Sequence, residues 1–159
     1  IGLDYKGFDF STYFQGVGSR DYWAYGNVAI PSGMSALDAI FTHQTDYWTP
    51  QNTDAFYPRP TDHNWVSDGQ NFKIQDRYLS DMSYLRCKNI TLGYSFPKNL
   101  LKKIDFQKVR VYFSAENMFT WDNMHLPVDP ETTSWKGAWA FGRSYPYMKT
   151  ISFGVQAVF

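Results

Sequence analysis

The sequence predicts an all-β protein in which four antiparallel strands form part of the wall of a transmembrane β-barrel. Three observations lead to this prediction: four segments alternate between apolar and polar residues, their connections alternate in length, and the last segment ends in a regular apolar tail. Alternation with a period of two indicates a strand with one apolar and one polar face. Each segment is also long enough for a tilted barrel strand, which needs roughly 9–11 residues to cross a bilayer.

The first two predicted strands lie at about 5–16 and about 83–96. One face of the first strand carries Phe8, Phe10 and Phe14, and the other face is mainly polar. The second strand alternates in the same way. Its apolar face carries Ile90, Leu92, Tyr94 and Phe96, and its other face carries Asn89, Thr91, Gly93 and Ser95. Both patterns predict strands whose two faces meet different surroundings.

The last two predicted strands lie at about 108–119 and about 147–159. We expect Arg110 and Glu116, on the polar face of the third strand, to face the barrel lumen. Three roles stay open for this pair: lining a path through the barrel, pairing with residues of a plug inside it, or serving as structural partners within the wall. The fourth strand ends in an alternating apolar tail, Ile151, Phe153, Val155, Ala157 and Phe159. This tail resembles the C-terminal targeting signal of bacterial outer-membrane proteins.

The connections are long at about 17–82, short at about 97–107 and long again at about 120–146. Outer-membrane barrels have short periplasmic turns and longer extracellular loops, so we expect the short connection to be periplasmic and the long ones to be extracellular. The short turn begins with Pro97, which favours a first helical turn. Within the first long loop, Ser35 and Asp38 predict a helix that extends to about His43.

Composition excludes several functional classes. The formal net charge is zero, with 15 basic and 15 acidic residues, so the basic surface typical of nucleic-acid binding is missing. The three histidines lack metal-ligand spacing, and no nucleophile elbow, phosphate loop or HExxH motif occurs. We therefore predict no enzymatic activity, no metal and no cofactor. The start at Ile1, without a signal segment, favours a piece of a longer protein.

Aromatic residues make up 19% of the chain and are dense in the two long loops. Aromatic rings stack on sugars and other flat ligands, and neighbouring amides can bind hydroxyl groups. The candidate ligand-binding residues are Trp23, Tyr25, Tyr47, Trp48, Asn52 and Trp65 in the first loop and Trp121, Trp135 and Trp139 in the second. The alternative is that these side chains fold the loops onto themselves or contact a partner protein.

Several sequence motifs resemble those of SusC/RagA-like TonB-dependent transporters. Residues 83–94 read SYLRCKNITLGY, which is similar to the SYLRLKNITLGY segment of that family. Residues 47–53 and 57–59 resemble its W-T-P-E-N and Y-P-R loop, and residues 129–131 match its D-P-E sequence. The similarity covers essentially the whole chain, and the motifs occur in the family's order. Cys87 stands where Leu is usual, and Gln51 where Glu is usual.

This resemblance implies that the chain supplies the last four strands of a barrel of about 22 strands in the bacterial outer membrane. The plug and the segment that contacts TonB would lie upstream. The resemblance further implies a SusD-like surface lipoprotein as a lid, and import of oligosaccharides or peptides. An alternative from a different class is a soluble, aromatic-rich, carbohydrate-binding β-sandwich. It accounts for the aromatic content, but not for the alternating tail or the unequal connections.

Overall fold

The structure is a computed structural model of the 159-residue chain, and it describes residues 1–24, 28–29, 40–60, 73–132, 142 and 144–159. The chain divides into two compact units. The sheet unit contains residues 1–18, 84–122 and 147–159, and the loop unit contains residues 19–83 and 123–146. Among the described residues, no helix is both long enough and apolar enough to span a membrane.

The sheet unit is built on five antiparallel strands in the order β1-β2-β5-β6-β7. Their bounds are Gly2–Tyr5 (β1), Phe8–Val17 (β2), Tyr84–Ser95 (β5), Lys108–Asp122 (β6) and Thr150–Val158 (β7). The sequence analysis predicted four strands here, beginning at about residue 5. The structure corrects this count because the chain reverses at Lys6 and Gly7 and forms an additional strand, β1, before β2.

The reversal at Lys6 and Gly7 explains why an additional strand precedes the predicted one. Both residues have positive φ angles, 48° at Lys6 and 89° at Gly7. Two successive residues of positive φ form the kind of two-residue turn whose twist suits a β-hairpin. The Ser95 N–H donates a hydrogen bond to the Gly7 carbonyl at 2.8 Å, so the turn also joins the end of β5.

The strand register gathers the apolar side chains on one face of the sheet. One row of paired residues runs Leu3, Phe10, Leu92, Phe113 and Phe153 across all five strands. This apolar face is open: the exposed fraction is 65% at Leu3 and 80% at Phe153. A β-sandwich buries such a face against a second sheet. The open apolar face therefore argues against the sandwich alternative.

Aromatic residues lie at two levels of the apolar face. Near the short turns, Phe8 and Tyr94 pack with ring centroids 4.6 Å apart, and Tyr94 contacts Phe96 at 5.2 Å. At the other end, Phe119 and Trp121 stack with centroids 6.0 Å apart. About ten steps of the strand ladder separate Phe96 from Trp121, which is about 33 Å along the strands.

A β-bulge interrupts the register in the middle of the sheet. Asn89 pairs with Glu116, whereas Cys87 pairs with Phe119, so Lys88 stands against two residues of β6. The first of those two residues, Asn117, has a positive φ of 52°. The bulge reverses the alternation of β5, so that Cys87 joins the apolar face and Arg86 the polar face.

The loop unit contains a two-stranded sheet of β3 (Asp21–Trp23) and β4 (Leu79–Asp81). Short 3₁₀ helices span Thr42–Gln44 and Asp76–Tyr78. Most of the helix predicted from Ser35 lies outside the described residues, and its described end at 42–44 is the 3₁₀ turn. Ala24 and Ala29 form a small core against which further side chains pack, Tyr22, Trp23, Val28, Tyr78, Leu126 and Val128.

The short connection between β5 and β6 is helical. Helix α1 covers Lys98–Leu101 and continues as a 3₁₀ turn at Lys102–Ile104. Pro97 precedes the helix, and its carbonyl accepts a hydrogen bond from the Leu100 N–H at 3.0 Å. The turn ends at Asp105, whose φ is 56°, and the chain then enters β6.

Candidate functional site

The loop unit contains a groove beside a compact turn at residues 46–57. Two backbone hydrogen bonds close the turn at its base, from the Trp48 N–H to the Tyr57 carbonyl and from the Tyr57 N–H to the Asp46 carbonyl, each 3.0 Å long. At its tip, Thr49 and Asn52 pair through reciprocal backbone hydrogen bonds of 3.0 and 3.2 Å. These bonds hold the backbone that carries the Tyr47 and Trp48 side chains.

The Asp46 carboxylate stabilises the same turn through two hydrogen bonds. One oxygen accepts a hydrogen bond from the Asn52 Nδ2 at 3.0 Å, and the other accepts one from the Phe56 N–H at 3.1 Å. The bond from Asn52, followed by that from Phe56, lowers the pKa of Asp46 below its ordinary value. The Asn52 side chain therefore stabilises the turn, whereas the sequence analysis assigned it to ligand binding.

A cluster of aromatic rings packs against the turn. Tyr57 is only 3% exposed and stacks parallel to Tyr78 with ring centroids 6.3 Å apart. Phe56 meets Tyr57 and Tyr78 edge to face, at 4.9 and 5.7 Å. Burial raises the pKa of both tyrosines. The Arg77 guanidinium donates hydrogen bonds to the Ala55 and Phe56 carbonyls, at 2.6 and 2.9 Å, and closes the cluster.

The groove in front of the turn combines aromatic, proline and cationic side chains. It has a volume of about 400 Å³ and is lined by Ile40, Tyr47, Trp48, Thr49, Pro50, Arg59 and Pro60. A second cavity of about 330 Å³ shares Trp48 and Arg59 and extends towards Phe56 and Tyr78. Trp48 is 37% exposed, and Arg59 is exposed. Within the described part of the chain, Arg59 has no hydrogen-bond or ion-pair partner.

The groove can hold a flat or ring-shaped ligand. An exposed indole face stacks on rings, and its partly apolar surface gains free energy when water is displaced. Arg59 adds five N–H donors that bind carbonyl, hydroxyl or carboxylate oxygens. Sequence reasoning identified Tyr47 and Trp48 but overlooked Arg59 as a binding residue, although it lies in the Y-P-R motif.

The other predicted ligand-binding residues divide into three groups. Trp23 lies in β3 and packs against the Ala24 and Ala29 core. Trp121 was predicted in the second loop, but β6 extends to Asp122 and places Trp121 on the apolar face, stacked on Phe119. That placement contradicts a role for Trp121 in a loop binding site. The remaining four lie outside the described residues, Tyr25, Trp65, Trp135 and Trp139.

The polar face of the sheet carries an ion pair between Asp9 and Arg110. The Arg110 Nε donates to Asp9 Oδ2 at 2.8 Å, and its Nη2 donates to Asp9 Oδ1. The guanidinium carbon also lies 5.1 Å from the centre of the Tyr112 ring. Arg110 is thus ion-paired to a side chain of the same sheet. Glu116 lies on the same face, opposite Asn89 and Thr150.

A second cationic and aromatic contact lies on the sheet unit near the bulge. The Lys88 Nζ is 4.2 Å from the centre of the Tyr147 ring, and the Arg86 guanidinium carbon is 5.4 Å from it. The buried Arg86 also donates from Nε to the Thr120 hydroxyl at 2.9 Å. Among the described residues, no group of three or more His, Cys, Asp or Glu side chains is placed to hold a metal ion.

Comparison with known proteins gives consistent similarities. No family model matches the chain. TonB-dependent receptor P3 of Formosa agariphila is 30% identical over 166 residues, which cover 99% of this chain and 15% of that receptor. TonB-dependent receptor SusC of Bacteroides thetaiotaomicron is 36% identical over 86 residues, 53% of this chain and 8% of SusC.

A solved structure of the RagAB peptide transporter aligns with 98% of this chain and 16% of its own, with a TM-score of 0.69 and 22% sequence identity. The RagAB peptide importer in its open-open state aligns at a TM-score of 0.67, also with 22% identity. These structural matches support the fold. The chain spans about 15% of the length of the first curated relatives that it matches.

Proposed function

This chain is homologous over nearly its whole length to TonB-dependent receptors of the SusC and RagA type, which are outer-membrane transporters and not enzymes, and we propose that it supplies part of the wall and loops of an importer of oligosaccharides or peptides. In this proposal the five-stranded sheet is a segment of the barrel. The loop unit lies on the extracellular side and contributes to cargo contact.

The observation that carries the proposal is the division of the sheet into two faces. An apolar face that runs across all five strands is stable in water only when it is covered, and acyl chains of a bilayer supply such a cover. The opposite face holds Asp9 and Arg110 together with small and hydroxyl side chains, which suits an aqueous lumen. A wall between lipid and water needs this division.

The edges of the sheet support the same proposal. Within the described residues, β1 pairs with β2 alone and β7 pairs with β6 alone. A transmembrane sheet cannot leave its edge N–H and C=O groups unpaired in lipid, because each unpaired group costs several kcal/mol there. In the proposed barrel, other strands of the full-length transporter pair with both edges.

The groove around Trp48 and Arg59 is the proposed cargo contact of this chain. Ring stacking on Trp48 suits a sugar, and the Arg59 donors suit sugar hydroxyls or peptide carbonyls. Both cargo classes fit this chemistry. The partners in the proposal are the remaining barrel and plug, TonB, and a SusD-like surface lipoprotein that closes over the loops.

The proposed orientation of the loop unit and the short turn across the membrane is tested by cysteine labelling of the full-length transporter in intact cells. Thr53 lies in the loop unit and Asn99 in the short turn, and both are exposed. In a C87S background, a membrane-impermeant maleimide is expected to label T53C in intact cells and N99C only after permeabilisation. Labelling of N99C in intact cells, with T53C protected, would overturn the proposed orientation.

Transport itself is tested by uptake. Cells with and without the full-length gene are given a defined oligosaccharide mixture and a defined peptide mixture, with and without a protonophore. We expect one mixture to be taken up only when both the gene and the proton gradient are present. Equal uptake of both mixtures by the two strains would refute the importer proposal.

A further inference from the structure

One edge of the sheet unit carries a concentration of lysine side chains. Residues 97–108, which connect β5 to β6, contain four lysines and a single carboxylate, at Asp105. The adjacent hairpin turn between β1 and β2 adds Lys6. We call this surface the lysine edge and define it by five residues, Lys6, Lys98, Lys102, Lys103 and Lys108.

Backbone contacts place these turns side by side. The Ser95 N–H bonds to the Gly7 carbonyl at 2.8 Å, which brings the β1–β2 turn to the start of the helical connection. The Gln107 N–H bonds to the Val158 carbonyl at 2.8 Å, which brings the end of that connection to β7. The five lysines therefore occupy one rim of the sheet rather than separate surfaces.

The lysines of this rim are exposed, and none of them forms a salt bridge within the described part of the chain, although Lys108 attracts Asp9 electrostatically. Three carboxylates lie near this rim, Asp4, Asp9 and Asp105, and Asp9 is already bound to Arg110. The ammonium group of Lys6 lies 5.1 Å from the centre of the Tyr5 ring. Since the five lysines outnumber these carboxylates, the rim has an excess of positive charge beside aromatic side chains.

Apolar side chains stand next to this charge at the same level. Leu100 is 53% exposed although it lies in the helix between Lys98 and Lys102. Phe106 and Phe159 meet edge to face with ring centroids 6.0 Å apart. Exposed leucine and phenylalanine beside lysine are typical of surfaces that lie at a membrane interface, where the lysine stems extend over acyl chains and the ammonium groups reach the headgroups.

We propose that the lysine edge binds the anionic headgroups of phospholipids in the leaflet that surrounds this rim. Charge complementarity identifies the partner: phosphatidylglycerol carries a net negative charge, whereas phosphatidylcholine carries none. The acyl chains of the bound lipid cover Leu100 and Phe106. This apolar contact holds the headgroup at the lysine edge. The inference rests on the proposed placement of the sheet in a bilayer and adds a lipid-binding site to it.

The test uses the full-length transporter purified in mild detergent. Native mass spectrometry counts retained lipid after titration with phosphatidylglycerol or with phosphatidylcholine of the same acyl chains. A lysine near an anionic surface contributes about fivefold in affinity. We therefore expect the triple variant K98Q/K102Q/K103Q to lose about tenfold or more of the preference for phosphatidylglycerol. The matched control is K73Q/K149Q, which changes two exposed lysines outside the edge and is expected to keep the preference.

Three further measurements separate the possible sources of the anion and guard against misassembly. Added inorganic phosphate is expected to leave phosphatidylglycerol bound, whereas L100Q is expected to weaken retention of the lipid. In the unaltered protein, rising salt should reduce the preference, because headgroup attraction is screened. Equal retention of the two lipids by the unaltered protein, or an equal loss in K73Q/K149Q, would overturn the inference. Uptake assays report on the importer proposal independently of this outcome.

Discussion

Asp9 and Arg110 are joined by an ion pair although their strands, β2 and β6, are not neighbours. Strand β5 runs between them, and Gly93 is the residue of β5 that pairs with Asp9. A Cβ atom at Gly93 would overlap the Asp9 carboxylate and the Arg110 guanidinium. The absence of a side chain at Gly93 is therefore what allows the ion pair to cross an intervening strand.

Substitution G93A is expected to destabilise the full-length barrel by about 1–3 kcal/mol, because the added methyl group forces both charged side chains apart. The measurement is the urea midpoint of unfolding in lipid vesicles. G18A is the matched control, since a Cβ at Gly18 meets no atom within 4 Å. A similar loss in both variants would show that the ion pair is not the cause.

Substitution F153R is expected to reduce assembly into the membrane. The side chain lies on the open apolar face, and an arginine facing lipid at mid-bilayer costs about 2–4 kcal/mol. Ser152 lies on the opposite face of the same strand, so S152R is the control and should assemble normally. The assembled fraction is read from the mobility shift between heated and unheated samples on a gel. Normal assembly of F153R would contradict the assignment of that face to lipid.

Substitution W48A is expected to weaken cargo binding by the full-length transporter about tenfold, because a stacked ring is lost from the groove. Binding is measured calorimetrically with whichever oligosaccharide or peptide the uptake assay identifies. I74A removes an exposed apolar side chain of the loop unit that does not line the groove, and it should bind as the unaltered protein does. Unchanged affinity in W48A would remove the groove from the cargo path.

The turn at residues 46–57 is expected to loosen in acid. The pKa of Asp46 is lowered in the folded turn, so its contribution to stability is complete above the ordinary pKa of about 4 and is lost as pH falls through the lower, folded value. Amide exchange at Phe56 and Tyr57, corrected for the intrinsic rate, should accelerate in that window. The variant D46N should exchange without this pH dependence; retention of it would assign the effect to another group.

Asn117 allows the backbone strain of the bulge to be measured separately from a hydrogen bond. Its Nδ2 donates to the Met148 carbonyl at 3.1 Å, and its φ is positive. N117A and N117G both lose that bond, but only alanine is strained at positive φ. We expect N117A to be less stable than N117G by about 1 kcal/mol in urea unfolding. Equal stabilities would mean that the bulge relaxes without cost.

Alternation in the sequence located the long strands because each strand keeps one face apolar. It could not locate the bulge, since Lys88 and Asn117 are ordinary polar residues within alternating segments. It also missed β1 and began the first strand at about Tyr5, before the turn, because Lys6-Gly7 is a weaker turn signal than Asn-Gly. The bulge depends on pairing with a strand that is distant in sequence, whereas β1 depends on a local turn.

Within the candidate site, composition indicated which residue types bind ligands, but it did not separate binding from folding. Trp48 and Trp23 are equivalent in sequence terms, yet one lines a groove and the other packs on a core. The role of Asn52 follows from its distance to Asp46, which no local pattern encodes. The charged partner of Arg110 lies 101 positions away in sequence, so alternation gave its face and not its ion pair.

In the proposed barrel, the two aromatic levels on the apolar face would determine which bilayer thickness suits this sheet. The rise of about 33 Å between Phe96 and Trp121 shrinks to about 25 Å at the usual strand tilt of about 40°. A plasma membrane is thicker than this by several ångströms, and the bacterial outer membrane is thinner than average. Short acyl chains would match the sheet, and long ones would have to compress around it. The distance between the two aromatic levels would therefore match the hydrocarbon thickness of the outer membrane better than that of thicker membranes.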